Sequence, residues 1–130
     1  MDVLLVDDNE LLQQVISRYL GELGLTVAVA GRGDEALALA GQAPPALFIV
    51  DLYLPDMDGA DVLRALRALP GCAETPAIAI SGLDEEDARL VMTDDVSEYL
   101  IKPVELDDLA QAVRRHVPHA QQAGAPKPNR

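Results

Sequence analysis

Runs of apolar residues alternate along this chain with longer segments in which apolar residues recur every three or four positions. Four of the runs are apolar almost throughout, which is typical of strands in a parallel sheet that is covered on both faces. A short fifth strand is predicted near the end of the pattern. The predicted strands are 3–6, 25–30, 46–50, 76–80 and 98–101.

Five helices are predicted after these strands, at 9–22, 34–40, 61–69, 84–92 and 106–117. Apolar side chains share one face in the first, third and last of them. We expect glycines to end the first two helices, and we expect the polar fourth helix to be exposed. The terminating glycines are Gly24 and Gly41, and the residues predicted to face the core are Leu12, Val15, Ile16, Tyr19, Leu20 and Leu23, then Val62, Leu63, Leu66 and Leu69, then Leu106, Leu109, Ala110, Val113 and Val117.

Alternating strands and helices predict the α/β class, with a doubly wound, five-stranded parallel sheet whose crossovers are right-handed. The length of 130 residues suits one domain, which we predict over residues 1–118. Residues 119–130 have no apolar period, and they are predicted to be a flexible tail or a truncated linker.

The charge balance narrows the classes of partner. The chain has 22 acidic and 10 basic residues, which give a formal net charge of −12. Direct nucleic-acid binding is not expected, because phosphate contacts need clustered Lys and Arg side chains. A metal cation or a basic partner is more compatible with this charge.

Cysteine content and hydropathy indicate the compartment. Cys72 is the only cysteine, so no internal disulfide can form, and this fits a reducing cytoplasm. No apolar run approaches the ~18 residues needed to span a bilayer. The first residues also lack the basic segment of a secretory signal. We therefore expect a cytoplasmic protein with no membrane partner.

Chemically reactive side chains gather at the predicted carboxyl ends of the strands. Asp7 and Asp8 follow the first strand, Asp51 the third, Ser81 the fourth and Lys102 the fifth. In open α/β sheets these ends meet at one edge, where functional groups collect. Three carboxylates repel one another unless a counter-charge is present. Since Mg²⁺ prefers oxygen ligands and is often bound together with a phosphoryl group, the pattern predicts a site for Mg²⁺ and phosphate.

Each of these residues also has an ordinary structural explanation when it is taken alone. Asp8 or Asn9 could cap the first helix, Ser81 could be a turn residue, and Lys102 could be a solvated surface side chain. Asp51 is harder to explain in this way, because an ionised carboxylate at the end of an apolar strand needs a partner. The conjunction of all of them at one sheet edge is more specific than any single member.

Four segments carry a resemblance to a known family. They are VLLVDDNE at 3–10, LFIVDLYLPDMDG at 47–59, AIAISG at 77–82 and YLIKP at 99–103. With these segments the chain resembles the receiver domain of two-component response regulators over roughly residues 2–117. The resemblance implies a flavodoxin-like sheet with the strand order 2-1-3-4-5.

The resemblance implies a role for each residue of the metal and phosphoryl site. Asp51 would be the phosphoacceptor and, together with Asp8 and the backbone carbonyl of Tyr53, a ligand of Mg²⁺. Asp7 would support the metal through water. Lys102 would pair with Asp51 and later with a phosphoryl oxygen.

The resemblance also implies a conformational switch. Ser81 would hydrogen-bond the phosphoryl group, and Tyr99 would be the switch aromatic that moves between exposed and buried rotamers. The bond between Lys102 and Pro103 would be cis. Two departures from the family pattern concern the fourth helix: the usual Gly-Ala pair is missing before the fifth strand, and the interval from Ser81 to Lys102 is about one residue short.

These roles imply a signalling switch rather than a conventional enzyme. A sensor histidine kinase or a phosphotransfer protein would donate the phosphoryl group. The surface of the fourth helix, fifth strand and fifth helix would then change and regulate a downstream effector protein or a missing output domain. The chain could equally be the receiver module of a larger regulator or of a hybrid histidine kinase.

Two other classes of function were weighed against the switch. A Mg²⁺-dependent phosphohydrolase with an aspartyl nucleophile commonly has a D-x-D pattern on its first strand, whereas this chain has the adjacent acids Asp7 and Asp8. A non-phosphorylated pseudo-receiver, acting only as a binding module, would be expected to lack residues such as Asp51 and Lys102. Both residues are present, so the switch is the favoured hypothesis.

Overall fold

A computed structural model of the chain describes residues 1–92 and 96–117. The described residues form five strands and five helices, which alternate along the chain as predicted. The strands are β1 (Val3–Val6), β2 (Val27–Ala30), β3 (Leu47–Asp51), β4 (Ala77–Ser81) and β5 (Glu98–Ile101), and the helices are α1 (Glu10–Glu22), α2 (Gly33–Gln42), α3 (Gly59–Arg67), α4 (Glu85–Val91) and α5 (Leu106–His116). The predicted tail at 119–130 lies outside the described residues.

The five strands form one parallel sheet in the order β2-β1-β3-β4-β5. This confirms the predicted doubly wound topology. Val6 pairs with Val50 across β1 and β3, and Asp51 pairs with Ile80 across β3 and β4. The strand order reverses between β1 and β3, which is the position at which open α/β sheets carry their sites.

Buried side chains form an apolar layer on each face of the sheet, because alternate residues of a strand point to opposite faces. All residues of β1, β3 and β4 are buried, in agreement with strands that are apolar almost throughout. The layer beneath α2, α3 and α4 contains Leu4, Val6, Phe48, Val50, Ala36, Val62, Leu63, Leu66 and Ala88, and the layer beneath α1 and α5 contains Val3, Leu5, Leu47, Ile49, Ile78, Ile80, Ile16, Leu20, Leu109 and Val113.

Three elements depart from their predicted bounds by more than one residue. β2 begins at Val27, because that residue is the first to pair with β1. α2 continues past Gly41, so the prediction that this glycine closes the helix is wrong; the amide of Ala43 still bonds to the carbonyl of Leu39. α3 begins at Gly59 and ends at Arg67. Gly24 does end its helix, with φ of 87°.

One predicted core residue of α1 lies at the surface. Ile16 and Leu20 are fully buried, but Val15 is 39% exposed, and Leu11 on the preceding turn is 70% exposed. The sheet covers only the stripe of α1 that contains Ile16 and Leu20, so the apolar face of this helix is wider than its contact with the core. Within residues 1–92 and 96–117, every helix is too short or too polar to cross a bilayer.

Candidate functional site

Three carboxylates meet at the carboxyl end of the sheet. Asp51 is the last residue of β3, and the pairing of β3 with β1 places it beside the residues that follow Val6. One oxygen from each of Asp7, Asp8 and Asp51 lies within 4.8 Å of the others. Asp7 is fully buried, Asp51 is 6% exposed and Asp8 is exposed. The predicted convergence of acids is therefore present in the structure.

Capping of α1 does not account for these acids. The N-cap residue is Asn9, whose side-chain oxygen accepts a hydrogen bond from the amide of Leu12 at 3.0 Å. The amide of Asn9 in turn donates to Asp7 Oδ1 at 2.8 Å. Asp8 is therefore not the N-cap, and its exposed carboxylate lies at the rim of the acidic cluster.

Lys102 supplies a positive charge to the buried acids. Its Nζ atom lies 3.1 Å from Asp51 Oδ2 and 3.1 Å from Asp7 Oδ2. Its backbone amide donates to the carbonyl of Ser81 at 2.7 Å, which attaches the segment after β5 to the end of β4. The peptide bond between Lys102 and Pro103 is cis, as predicted.

Burial and neighbouring charges shift the pKa values of the groups in the cluster. Burial raises the pKa of Asp51 above its ordinary value and the charge of Asp7 raises it further, although the hydrogen bond from Lys102 acts in the opposite direction. Burial acts to lower the pKa of Lys102, but its hydrogen bond to Asp51 and the two carboxylate charges outweigh burial, and the pKa is raised. One ammonium among three carboxylates leaves excess negative charge, which a divalent cation would offset.

The weakly partnered oxygens of the cluster suit a hard cation. Asp7 Oδ2 is buried, and its partner among the described residues is the Lys102 ammonium, 3.1 Å away. Asp51 Oδ1 accepts only a long hydrogen bond, of 3.3 Å, from the amide of Tyr53. Magnesium prefers such oxygen ligands and keeps several waters. The donor set therefore fits Mg²⁺.

The loop at residues 52–58 follows the buried strand and contains Tyr53, the predicted carbonyl ligand. The amide of Gly59 donates to the carbonyl of Leu52 at 2.6 Å and closes the base of the loop. A Cβ atom at Gly59 would overlap the Asp51 carbonyl oxygen and Leu52 Cα, so only glycine fits there. The side chain of Tyr53 is 53% exposed, which leaves the backbone as the part of this residue that the fold constrains.

Ser81 lies at the same edge of the sheet, one residue beyond the partner of Asp51. It is 2% exposed, and its Oγ accepts a hydrogen bond from the amide of Leu83 at 2.8 Å. This bond belongs to a turn, the ordinary structural role weighed above for this serine. Ser81 is therefore at the edge of the sheet that carries the acids, and its hydroxyl is engaged with the segment that leads into α4.

Tyr99 lies on β5 opposite Ala79 and is half-buried. The guanidinium carbon of Arg89, on α4, lies 4.8 Å from the centre of its ring. Glu85 Oε2 accepts hydrogen bonds from Arg89 at 2.6 and 3.0 Å and orients that side chain. Burial raises the pKa of Tyr99, which stays a neutral phenol. A cation–π contact that the sequence analysis did not predict therefore connects the predicted switch residue to α4.

Asp56 is a second residue whose contacts the sequence analysis missed. It lies at the tip of the loop at residues 52–58, and its two carboxylate oxygens accept hydrogen bonds from the amides of Gly33 at 2.8 Å and Asp34 at 3.1 Å. The side chain of Arg32 approaches it to 3.8 Å. One sequence feature could have indicated this contact. Arg32, at the N-cap position of α2, has no acceptor in its side chain, so the first amides of the helix need an acceptor from elsewhere.

Comparison with known proteins gives a consistent result. The family profile described as the response regulator receiver domain matches residues 3–114. The chain is 33% identical over 117 residues to an uncharacterised 14.6 kDa protein of Leptolyngbya boryana, with 89% of each chain covered. It is 34% identical over 115 residues to the transcriptional regulatory protein HprR of Escherichia coli, covering 88% of this chain but only 50% of that protein. The chain spans about half the length of such regulators.

Two solved structures are similar over nearly the whole fold. The receiver domain of the sensor histidine kinase PA1611 from Pseudomonas aeruginosa, solved with a magnesium ion in its active-site cleft, has a TM-score of 0.82 at 28% identity, with 90% of this chain and 97% of that chain covered. The chemotaxis protein CheY4 of Vibrio cholerae has a TM-score of 0.83 at 28% identity, with 88% and 97% covered.

Proposed function

This chain belongs to the receiver domain family of the response regulators of two-component signalling systems, and on that premise we propose that it is a switch operated by phosphorylation of Asp51. The observation that carries the proposal is the cluster of Asp7, Asp8 and Asp51, in which Lys102 pairs with the two buried acids, Asp7 and Asp51. The family consists of signalling switches rather than conventional enzymes. The chemistry proposed here is accordingly limited to gain and loss of one phosphoryl group.

Asp51 is the nucleophile of the proposed reaction. One of its carboxylate oxygens attacks the phosphorus of a phosphohistidine, the new P–O bond forms as the P–N bond breaks, and the imidazole leaves and takes up a proton. Mg²⁺ bound by Asp8, Asp51 and the Tyr53 carbonyl, and by Asp7 through water, would offset the negative charge of the transferring group. A magnesium ion in the cleft of the similar PA1611 receiver supports this choice of metal.

Lys102 holds the carboxylate before transfer and the phosphoryl group after it. Its ammonium is 3.1 Å from Asp51 Oδ2, so it shields the nucleophile from the negative charge of Asp7 while the site is unphosphorylated. Once the acyl phosphate forms, the same ammonium is within reach of a phosphoryl oxygen. The protein thereby supplies position and charge rather than a general base.

Ser81 and Tyr99 would carry the change to the surface. The phosphoryl oxygens are strong acceptors, and the Ser81 hydroxyl, whose oxygen accepts from the amide of Leu83, would turn its O–H toward them as a donor. As Ser81 and the segment after it move, Tyr99 leaves Arg89 and turns inward. The outcome is a shift of population between two packings of α4, β5 and α5.

The phosphoryl donor would be a sensor histidine kinase or a phosphotransfer protein in the cytoplasm. Two relatives support different outputs. The regulator HprR is about twice as long as the matched region, which favours an output domain joined to a receiver. The Leptolyngbya protein is covered over 89% of its length, which favours a receiver that acts by docking to a separate effector.

Labelling with a small phosphodonor tests the proposal. The chain is incubated with acetyl phosphate and MgCl₂, and intact mass is followed for the wild type, Asp51→Asn and a control, Asp61→Asn, which removes an exposed acid of α3. We expect one added phosphoryl group on the wild type and the control and none on Asp51→Asn. Labelling of Asp51→Asn, or none on the wild type, contradicts the proposal. Repeated turnover of small phosphate esters would favour a phosphohydrolase.

A further inference from the structure

The loop at residues 52–58 is attached to the fold at two places. At its base, the amide of Gly59 bonds to the carbonyl of Leu52, and Tyr53 forms an isolated antiparallel bridge with Asp58. At its tip, the carboxylate of Asp56 bonds to two consecutive amides of α2. The backbone of Tyr53 belongs to the attachment at the base, three residues before Asp56 at the tip.

The attachment at the tip satisfies both partners. The first amides of a helix have no acceptor within the helix itself, and Arg32 at the N-cap position of α2 has no side-chain acceptor to offer. Asp56 supplies one oxygen to each of the first two amides from 22 and 23 residues away. These hydrogen bonds hold the pKa of Asp56 below its ordinary value, and the one from Gly33 has the largest effect. The carboxylate is therefore ionised at neutral pH.

An apolar contact strengthens the same attachment. A Cβ atom on Gly33 would lie 2.6 Å from Met57 Sδ and 2.8 Å from Val62 Cγ2. The absence of a side chain at Gly33 thus lets Met57 pack directly against the start of α2. Two successive loop residues, Asp56 and Met57, contact the same turn of helix, one through hydrogen bonds and one through packing.

We propose that Asp56 is a positioning residue for the metal site, because it attaches the loop to α2 and so holds the Tyr53 carbonyl where Mg²⁺ binds. The inference rests on the proposed function, which makes that carbonyl a ligand. Asp56 itself does not contact the metal or the phosphoryl group. Its removal therefore weakens Mg²⁺ binding without disturbing the ion pair between Asp51 and Lys102.

Direct titration with MgCl₂ by calorimetry tests this assignment on the full chain. Asp56→Ala removes both hydrogen bonds, and we expect its Mg²⁺ dissociation constant to rise roughly 10-fold, the lower end of the effect of losing an outer-shell partner. Asp56→Asn retains one acceptor oxygen and should show a smaller rise. The matched control is Ala38→Gly, which weakens α2 at an exposed position away from the loop, and its dissociation constant should stay within about two-fold of the wild type.

Phosphorylation by acetyl phosphate gives a second readout. For Asp56→Ala the Mg²⁺ concentration at half-maximal rate should rise by the same factor, while the rate at saturating Mg²⁺ stays within about two-fold of the wild type. Equal Mg²⁺ affinity in Asp56→Ala and wild type overturns the positioning role, as does an equal loss in Ala38→Gly. If Asp56→Ala does not fold, Asp56→Asn decides by the same criteria. A wild type that neither binds Mg²⁺ nor becomes labelled overturns the proposed function instead.

Discussion

The edge of the sheet at Asp51 and the surface around Tyr99 are built in different ways. Every residue of β1, β3 and β4 is buried, so the strands that carry the acidic cluster are packed on both faces. β5 has no buried residue, and Ala88 is the only buried residue of the seven in α4. The proposed chemistry is thus placed on well-packed strands, and the proposed response is placed on elements that are mostly exposed or half-buried.

This difference in packing identifies the part of the molecule whose conformation a small free energy can change. Groups that must meet within a few tenths of an ångström need a rigid scaffold, whereas an element that changes conformation must be of low local stability. Tyr99 is held against Arg89 by a cation–π contact, which contributes about 0.5–1 kcal/mol at an exposed site. In the proposed switch, new hydrogen bonds to a phosphoryl group would contribute more than that, which is sufficient to release the tyrosine from Arg89.

The largest expected contrast is in stability. Phe48→Ala empties a fully buried position of β3 and should lower the free energy of unfolding by about 3–5 kcal/mol. Leu90→Ala removes a side chain on α4 that is 75% exposed and should change it by less than about 0.5 kcal/mol. Urea denaturation followed by circular dichroism measures both. Similar losses in the two variants would show that the two regions are equally well packed.

Substitution of Asp51 should have a smaller effect on stability, and it should raise the free energy of unfolding rather than lower it. Burial raises the folded-state pKa of Asp51, so its contribution to stability is present below the ordinary carboxyl pKa and is lost as pH rises through the raised one. Without Mg²⁺ at pH 7, Asp51→Asn should therefore be more stable than the wild type, and Lys102 keeps its ion pair with Asp7 in this variant. The difference should shrink below about pH 4.

Urea denaturation in a chelating buffer at several pH values measures this difference. Asp61→Asn, which alters an exposed carboxylate, serves as the control and should change stability by less than about 0.5 kcal/mol at each pH. A gain in Asp51→Asn that does not depend on pH would mean that the charge of Asp51 is not its source.

The smallest effect concerns the Tyr99 contact. Arg89→Gln removes the guanidinium that lies over the ring, and the population of inward rotamers should rise about two- to five-fold, which corresponds to about 0.5–1 kcal/mol. The ring resonances of Tyr99 in NMR spectra report this shift. Glu85→Gln leaves the guanidinium in place but weakens its orientation, so its effect should be smaller. Unchanged resonances in Arg89→Gln would show that the contact does not restrain the ring.

Local pattern was sufficient to predict a doubly wound parallel sheet and the acidic cluster, whereas the strand order followed from the resemblance to the receiver family. Parallel strands without polar alternation require cover on both faces, and residues directly after such strands must meet at one edge. Asp7, Asp8, Asp51 and Lys102 follow from those two rules. The same rules place Ser81 at the edge, but they do not say whether its hydroxyl faces the acids or the turn that follows.

The missed features share one cause. Asp56 and Gly33 are 23 residues apart, and the contact between Arg89 and Tyr99 joins two different elements, α4 and β5. Neither pair has a fixed spacing or a shared period, so no local pattern reveals it. Val15 was misplaced because periodicity defines an apolar face of α1 but not how much of that face the sheet can cover.

Lys102 reaches Asp51 from 51 residues further along the chain. During synthesis all three aspartates therefore emerge from the ribosome before the lysine, and a domain folds as a unit rather than segment by segment. The buried acids gain their positive partner only when the residues after β5 join the fold. If the proposed chemistry holds, the site is therefore complete only once the whole receiver fold has been translated.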